Sequence, residues 1–391
     1  MFLKMSDLHV VKFRAIDRPL TDEQLEFMER QSSRAEITKW TFDVEYNYSS
    51  FRGNVEEMLR NGYDIFLEFS NFHKRHVAIH LPNGTLFASD VWAECLRTDG
   101  IEWTQDKKGT GGVLSISPMI EDAGWLDSDG EEYLDCVAKL REMLIAGDPR
   151  ALYFVWLCGA ISGNEDPEEA IEPPVPHGMG EFPSEVAELL SFFEQDPLLV
   201  AAAGSGIPKF DGQKSRSEQA KEWITALNDK RKVAIIEQLL GEDPFIVKAE
   251  LLSEIRSTQK SLVWPMEAPT RTLANLFTQC DALREIEDKR LKKEKEILVK
   301  RAAEKAEIER QERIAKIKAD PQSWLEKATE LVNRRGQESY LEAADILADV
   351  REALGGEQGH KIACKHAAEL VKKNPTLSRL KSAIRKKGFT W

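Results

Sequence analysis

Long apolar runs are missing from this sequence, and so is any pair of cysteines at metal or redox spacing. No apolar stretch approaches the ~18 to 20 residues that a membrane span needs, and Met1, Lys4, Lys12 and Arg14 are not followed by an apolar region with a small-residue cleavage site. The expected location is therefore the cytoplasm, with no membrane contact. The five cysteines, Cys95, Cys136, Cys158, Cys280 and Cys364, are scattered and odd in number. They point to neither a disulfide framework nor a cysteine-built zinc site, and read as buried reduced thiols. A nucleophile elbow G-x-S-x-G, a dinucleotide fingerprint and a kinase signature are also missing, so no cofactor is expected and the balance is against an enzyme.

What is present is 391 residues, 42% apolar and 31% charged, enough for two or three soluble domains with real cores. The net charge of -13 conceals an asymmetry. Met1 to Leu283 carries 28 basic and 48 acidic residues, whereas Lys361 to Trp391 carries 9 and 1. A basic tail on an acidic body can bind nucleic acid or another acidic partner, and it can equally dock on its own body or on a second copy.

The expected architecture is an α+β N-terminal domain followed by mainly α-helical domains, with a long charged helix and a C-terminal helical repeat. The divisions fall at residues 1–120 (antiparallel sheet), 121–270 (helical), 271–319 (long charged helix) and 320–391 (helical repeat with the basic tail). "LHVVKFRAI", "KWTFDVEYNY", "YDIFLEF" and "RHVAIHL" read as strands. In the second, Trp40, Phe42, Val44, Tyr46 and Tyr48 alternate with polar residues. Thr21 opens a helix with Gln24 at the capping-box position. Asp-Pro pairs at Asp148, Asp196, Asp243 and Asp320 each start a helix, because aspartate caps free N–H groups and proline tolerates the first helical position. "RALYFVWLCGAIS" is apolar all round and predicts a central core helix, while "GNEDPEEAIEPPVPHGMGEFP" predicts an extended, unpacked connection.

Several clusters invite chemistry and are better read as structure. His73, His76 and His80 lie close in sequence, but on a strand His76 and His80 stand roughly 13 Å apart and read as solvent-face histidines. His360, Cys364 and His366 lack further ligands. "DKKGTGG" does not run into a helix and reads as a hairpin loop, and "DSDGEE" lacks the spaced ligands of a calcium loop. Asp43 and Glu45 share one strand face and Glu68 lies on another strand; together they raise a metal-dependent hydrolase as one alternative.

The basic end, "KKNPTLSRLKSAIRKKGFTW", presents Lys372, Lys373, Arg379, Lys381, Arg385, Lys386 and Lys387. Helix, short turn and basic helix match the outline of helix-turn-helix DNA binding, and these seven residues are the candidate contacts to a protein or nucleic-acid partner. Arg284 to Lys318 holds 22 charged residues in 35, with basic and acidic residues interleaved, which disfavours a phosphate-binding arm. Ile286, Ile297 and Ile308 recur every eleven residues rather than in heptads, so a strut is expected in place of a coiled coil.

Two stretches resemble known families. "FRAIDRPLTDEQLEFMERQSSRAEITKWTFDVEYNYSSFRGN", with "GDPRALYFVWL" and "EPPVPHGMGEF", resembles an uncharacterised bacterial family of conserved hypothetical proteins; this resemblance implies no activity and no site residue. The C-terminal segment from "ESYLEAADILADVREAL" to "IRKKGF" is similar to the helical tail of bacterial SWIM-type zinc-finger proteins, without their zinc-binding motif. The expected role is a non-catalytic interaction or scaffold protein of an intracellular bacterial assembly, binding partners through the helical repeat and basic tail. A nucleic-acid-binding component acting through the same tail is the first alternative.

Overall fold

The structure, a computed structural model, describes residues 8–47, 49–71, 74–84, 98–120, 123–124, 126, 128–160, 168–209, 216–242, 244–257 and 271–391. It divides into two compact units, Met1–Ile286 and Glu287–Trp391.

The first unit opens with β1 (Leu8–Arg14), α1 (Asp22–Glu29), β2 (Glu36–Ile37), β3 (Thr41–Asn47), α2 (Val55–Arg60), β4 (Ile65–Ser70), β5 (Arg75–Leu81), β6 (Ile101–Gln105) and β7 (Gly112–Ile116). The strands form one seven-stranded sheet in the order β2-β3-β1-β4-β5-β7-β6, with every neighbouring pair antiparallel. This is the α+β arrangement expected from the sequence.

Both faces of the sheet are covered. On one, Val11, Phe13, Phe42, Val44, Phe66 and Ala78 pack with Leu20, Met28, Met58 and Tyr63. On the other, Val10, Ile65, Leu67, Phe69, Val77, Ile79 and Leu114 meet α3 (Glu131–Ala146) and α4 (Pro149–Gly159). This two-sided burial explains why "IFLEF" shows no apolar-polar alternation: successive residues enter opposite cores. The second core continues through the short helices α5 (Ser184–Ala187), α6 (Leu189–Phe192) and α7 (Leu198–Ala203), joining residues on both sides of position 120. The helices α8 (Arg216–Ala226), α9 (Asp229–Gly241) and α10 (Pro244–Ser257) follow.

Local signals act as expected at most positions. Thr21 forms the full capping box with Gln24. Asp148 caps Arg150 N–H, Asp196 accepts from Leu198 N–H and Asp320 from Ser323 N–H; Asp243 lies outside the described residues. Nearly all of α4 is buried, as a core helix should be. The "DKKGTGG" loop joins β6 to β7 as a hairpin.

Two expectations are corrected. Trp40 is 41% exposed rather than buried, because the Thr38 hydroxyl accepts from the N–H groups of Trp40 and Thr41 and forms a turn; alternation begins only at Thr41. Tyr48 lies outside the described residues. The proline-rich connection is packed: Met179 is fully buried, Ile171 bridges Thr272, and Glu172 is 1% exposed.

The long helix α11 (Leu273–Ala319) gives its first turns to the first unit, where Leu273, Leu276 and Cys280 are buried. Every residue from Asp288 to Glu312 is exposed, including Ile297 and Ile308 of the eleven-residue ridge. Within the second unit, α11 is followed by α12 (Pro321–Arg334), α13 (Gln337–Leu354), α14 (Gly356–Lys373) and α15 (Ser378–Lys386). Helix α13 packs against α12, α14 and α15, and Ile317, Leu331, Ile346, Leu347, Leu370 and Ile384 share one core. Among the described residues no helix is long and apolar enough to cross a membrane.

Candidate functional site

The basic face is built by helix periodicity. Helix α14 ends at Asn374, whose backbone N–H and side-chain amide both donate to the Leu370 carbonyl, and Pro375 then bars continuation. Helix α15 turns Leu380, Ala383 and Ile384 inward and leaves Ser378, Arg379, Ser382, Arg385 and Lys386 outward. Phe389 anchors the end, 1% exposed, with the Arg351 guanidinium 4.6 Å from its ring centroid.

The seven candidate residues separate into two groups. Lys372, Lys373, Arg379, Arg385 and Lys386 are exposed, and none has a carboxylate partner among the described residues. Lys381 instead donates to the Pro375 carbonyl at 2.7 Å, and Lys387 is paired with Asp345. The other two therefore help to hold the helix in place. Arg385 also lies 4.9 Å from the ring centroid of Trp391, which is 43% exposed.

A second polar cluster lies in the sheet. Glu68, 2% exposed on β4, receives His9 Nε2 at 2.6 Å, Lys74 Nζ at 2.8 Å and His76 Nδ1 at 3.4 Å. Burial by itself would raise its pKa, but the bonds from His76, His9 and Lys74 outweigh burial and hold the carboxyl well below its ordinary range. His76 Nε2 is 2.9 Å from Ser115 Oγ. Serine, histidine and carboxylate thus follow the order of a hydrolytic relay. Ser115, however, sits mid-strand opposite Ala78 and Glu102, not on a turn that would present a nucleophile beside free N–H donors. The cluster reads as a buried network that ties β1, β4, β5 and β7 together.

Asp43 and Glu45 do not join it. Asp43 opposes Lys12, which opposes Leu67, whereas Glu68 opposes Val11; strand alternation therefore puts Asp43 and Glu68 on opposite faces of the sheet. Asp43 instead pairs with Lys12 at 3.1 Å, and Lys12 reaches Glu131 at 2.6 Å. Asp43 and Glu45 share one face of β3, as expected, but Glu68 is not brought to them.

The histidine clusters also disperse. His76 turns to Glu68, while His80 lies 3.2 Å from Asp106, which Arg60 also holds at 2.9 Å; both are partly buried rather than solvent-face groups. His73 lies outside the described residues. Cys364 Sγ is 3.5 Å from His360 Nε2, but His366 turns to Thr329 Oγ1 at 3.0 Å. Among the described residues no three His, Cys, Asp or Glu side chains converge to hold a metal.

Other buried charges are accounted for by packing. Arg141, 3% exposed, donates to Asp64 and Asp17 at 2.7 Å and to the His80 carbonyl at 2.9 Å. It lines a cavity of about 700 Å³ together with Asp17, Asp135, Lys139 and Lys248. Glu172 receives Arg271 and the Tyr153 hydroxyl, and burial raises the tyrosine pKa well above its usual value.

No known protein family, curated protein or solved structure matches the chain.

Proposed function

We propose that the chain is a non-catalytic interaction component of an intracellular assembly that binds a negatively charged partner on the cationic face of α14 and α15. The observation that carries this reading is the contrast within the second unit. Arg310 and Arg313 of α11 pair with Glu352 and Asp349, whereas Lys372, Lys373, Arg379, Arg385 and Lys386 have no carboxylate partner among the described residues. Cations held without a counter-charge on an ordered surface are ready to meet an anionic one. The exposed stretch Asp288–Glu312 supports the same reading, since it carries Leu291, Leu298 and Val299 at 50 to 62% exposure without burying them in either unit's core.

Retention on an immobilised polyanion tests the proposal. A protein of net charge -13 should be repelled at pH 7 unless a local cationic face dominates. The expected result is retention at low salt that is abolished when Lys372, Lys373, Arg379, Arg385 and Lys386 are all replaced by glutamine. Flow-through of the unmodified protein would overturn the reading.

A further inference from the structure

We propose that the partner of this face is a single-stranded nucleic acid, with phosphates on Lys372, Lys373, Arg379 and Lys386 and one base stacked on Trp391 beside Arg385. This inference rests on the anionic-partner reading above and identifies the partner. Two observations separate nucleic acid from an acidic protein surface, and single strand from duplex.

The first is the composition of the outward half of α15. It consists of Ser378, Arg379, Ser382, Arg385 and Lys386, with no carboxylate and no large aliphatic group. A protein interface commonly centres on desolvated aliphatic groups, and the outward half of α15 supplies none. Cations interspersed with hydroxyls suit phosphate oxygens, which accept from both.

The second is the indole of Trp391. It is 43% exposed, and the Arg385 guanidinium lies 4.9 Å from its ring centroid. An exposed aromatic ring backed by arginine is a stacking platform, and every base has a π-face to lay on it. In a duplex those faces are already occupied by neighbouring bases. The platform is therefore usable only by an unpaired base, which the helix-turn-helix comparison would not have suggested.

Fluorescence anisotropy on the full chain, with a labelled oligothymidine and a duplex of equal length, tests the proposal. Four neutralised phosphates at about 0.7 each give a slope of log K against log salt near -2.8, or about a fiftyfold loss of affinity between 50 and 200 mM. Trp391→Ala should weaken oligothymidine binding on the order of tenfold without changing that slope, and Trp391→Phe should restore part of the loss. Replacing Arg379 and Lys386 by glutamine should make the slope shallower by about 1.4. Circular dichroism of each variant checks that the surface changes leave the helices intact.

Duplex bound as tightly as single strand, or Trp391→Ala without effect, would overturn the proposal. Polyglutamate bound in place of either oligonucleotide would also overturn it, while leaving the anionic-partner reading standing. Absence of binding to all three would remove both.

Discussion

Glu68→Gln isolates the buried network that joins four strands of the sheet. The substitution keeps size and shape while removing the charge that His9, Lys74 and His76 face. The side chains of Glu68 and His9 are 3% and 6% exposed, so their pair lies in the interior, whereas Lys74 is 49% exposed and its contribution is heavily screened. Removing one partner of a buried pair costs roughly 3 to 5 kcal/mol, because the other is left without compensation. Allowing little for Lys74 places the expected loss near the lower end, about 3 kcal/mol. For a unit spanning Met1–Ile286 that lowers the calorimetric midpoint by roughly 5 °C. The pH dependence supplies an internal check. Glu68 has a folded pKa below its ordinary 4.5, so its contribution is complete above pH 4.5 and is lost as pH falls below that value. The gap between the unmodified protein and the variant should therefore shrink as pH falls from 4.5 toward 3.5. A loss under about 1 kcal/mol, or a gap that does not shrink on acidification, would refute the reasoning.

Arg271→Met should destabilise the first unit by about 3 kcal/mol in calorimetry, because it strands Glu172 in a buried site; Arg271→Lys should recover little, since the guanidinium fork is what meets both carboxylate oxygens. Brief alkylation at pH 8 followed by peptide mass spectrometry should modify Cys364 first among the described cysteines. Burial, reinforced by nearby carboxylates, pushes Cys136 to about 11 and Cys280 to about 12, and Cys158 is fully enclosed; equal rates at all four would contradict this. His366 is held below its ordinary 6.5 by burial, so the unfolded chain takes up a proton at a pH where the folded one does not. The second unit should be most stable above pH 6.5 and lose stability as pH falls below it, and His366→Gln should flatten that profile; a midpoint that rises on acidification would oppose the assignment.

Residues whose surroundings are set within one element are the ones legible in the sequence. Alternation within seven residues puts Phe42, Val44 and Tyr46 on one face of β3, and the Thr21–Gln24 box spans a single turn. Helical period likewise sorts Leu380 and Ile384 from Arg379 and Lys386 within α15. What escapes is pairing between distant segments. Glu68 reads only as a carboxylate on another strand until His9, 59 residues away, closes on it. Glu172 reads as a solvated residue of a proline stretch until Arg271 arrives from 99 positions away. A usable signal did exist for Glu68: a lone carboxylate inside "IFLEF", a run too apolar to have a wet face, must find a counter-charge. His76 and His80 read as solvent-face histidines for the same reason, since their partners Glu68 and Asp106 lie on another strand and in a distant loop. The same limit acts on the basic end. Seven cations are apparent from the sequence, yet only the fold shows that Asp345 and the Pro375 carbonyl withdraw Lys387 and Lys381. The five that remain give charge without identity, because any polyanion would meet them. The contact between Arg385 and Trp391, six positions apart, also escapes the helical period, because Trp391 lies beyond the end of α15.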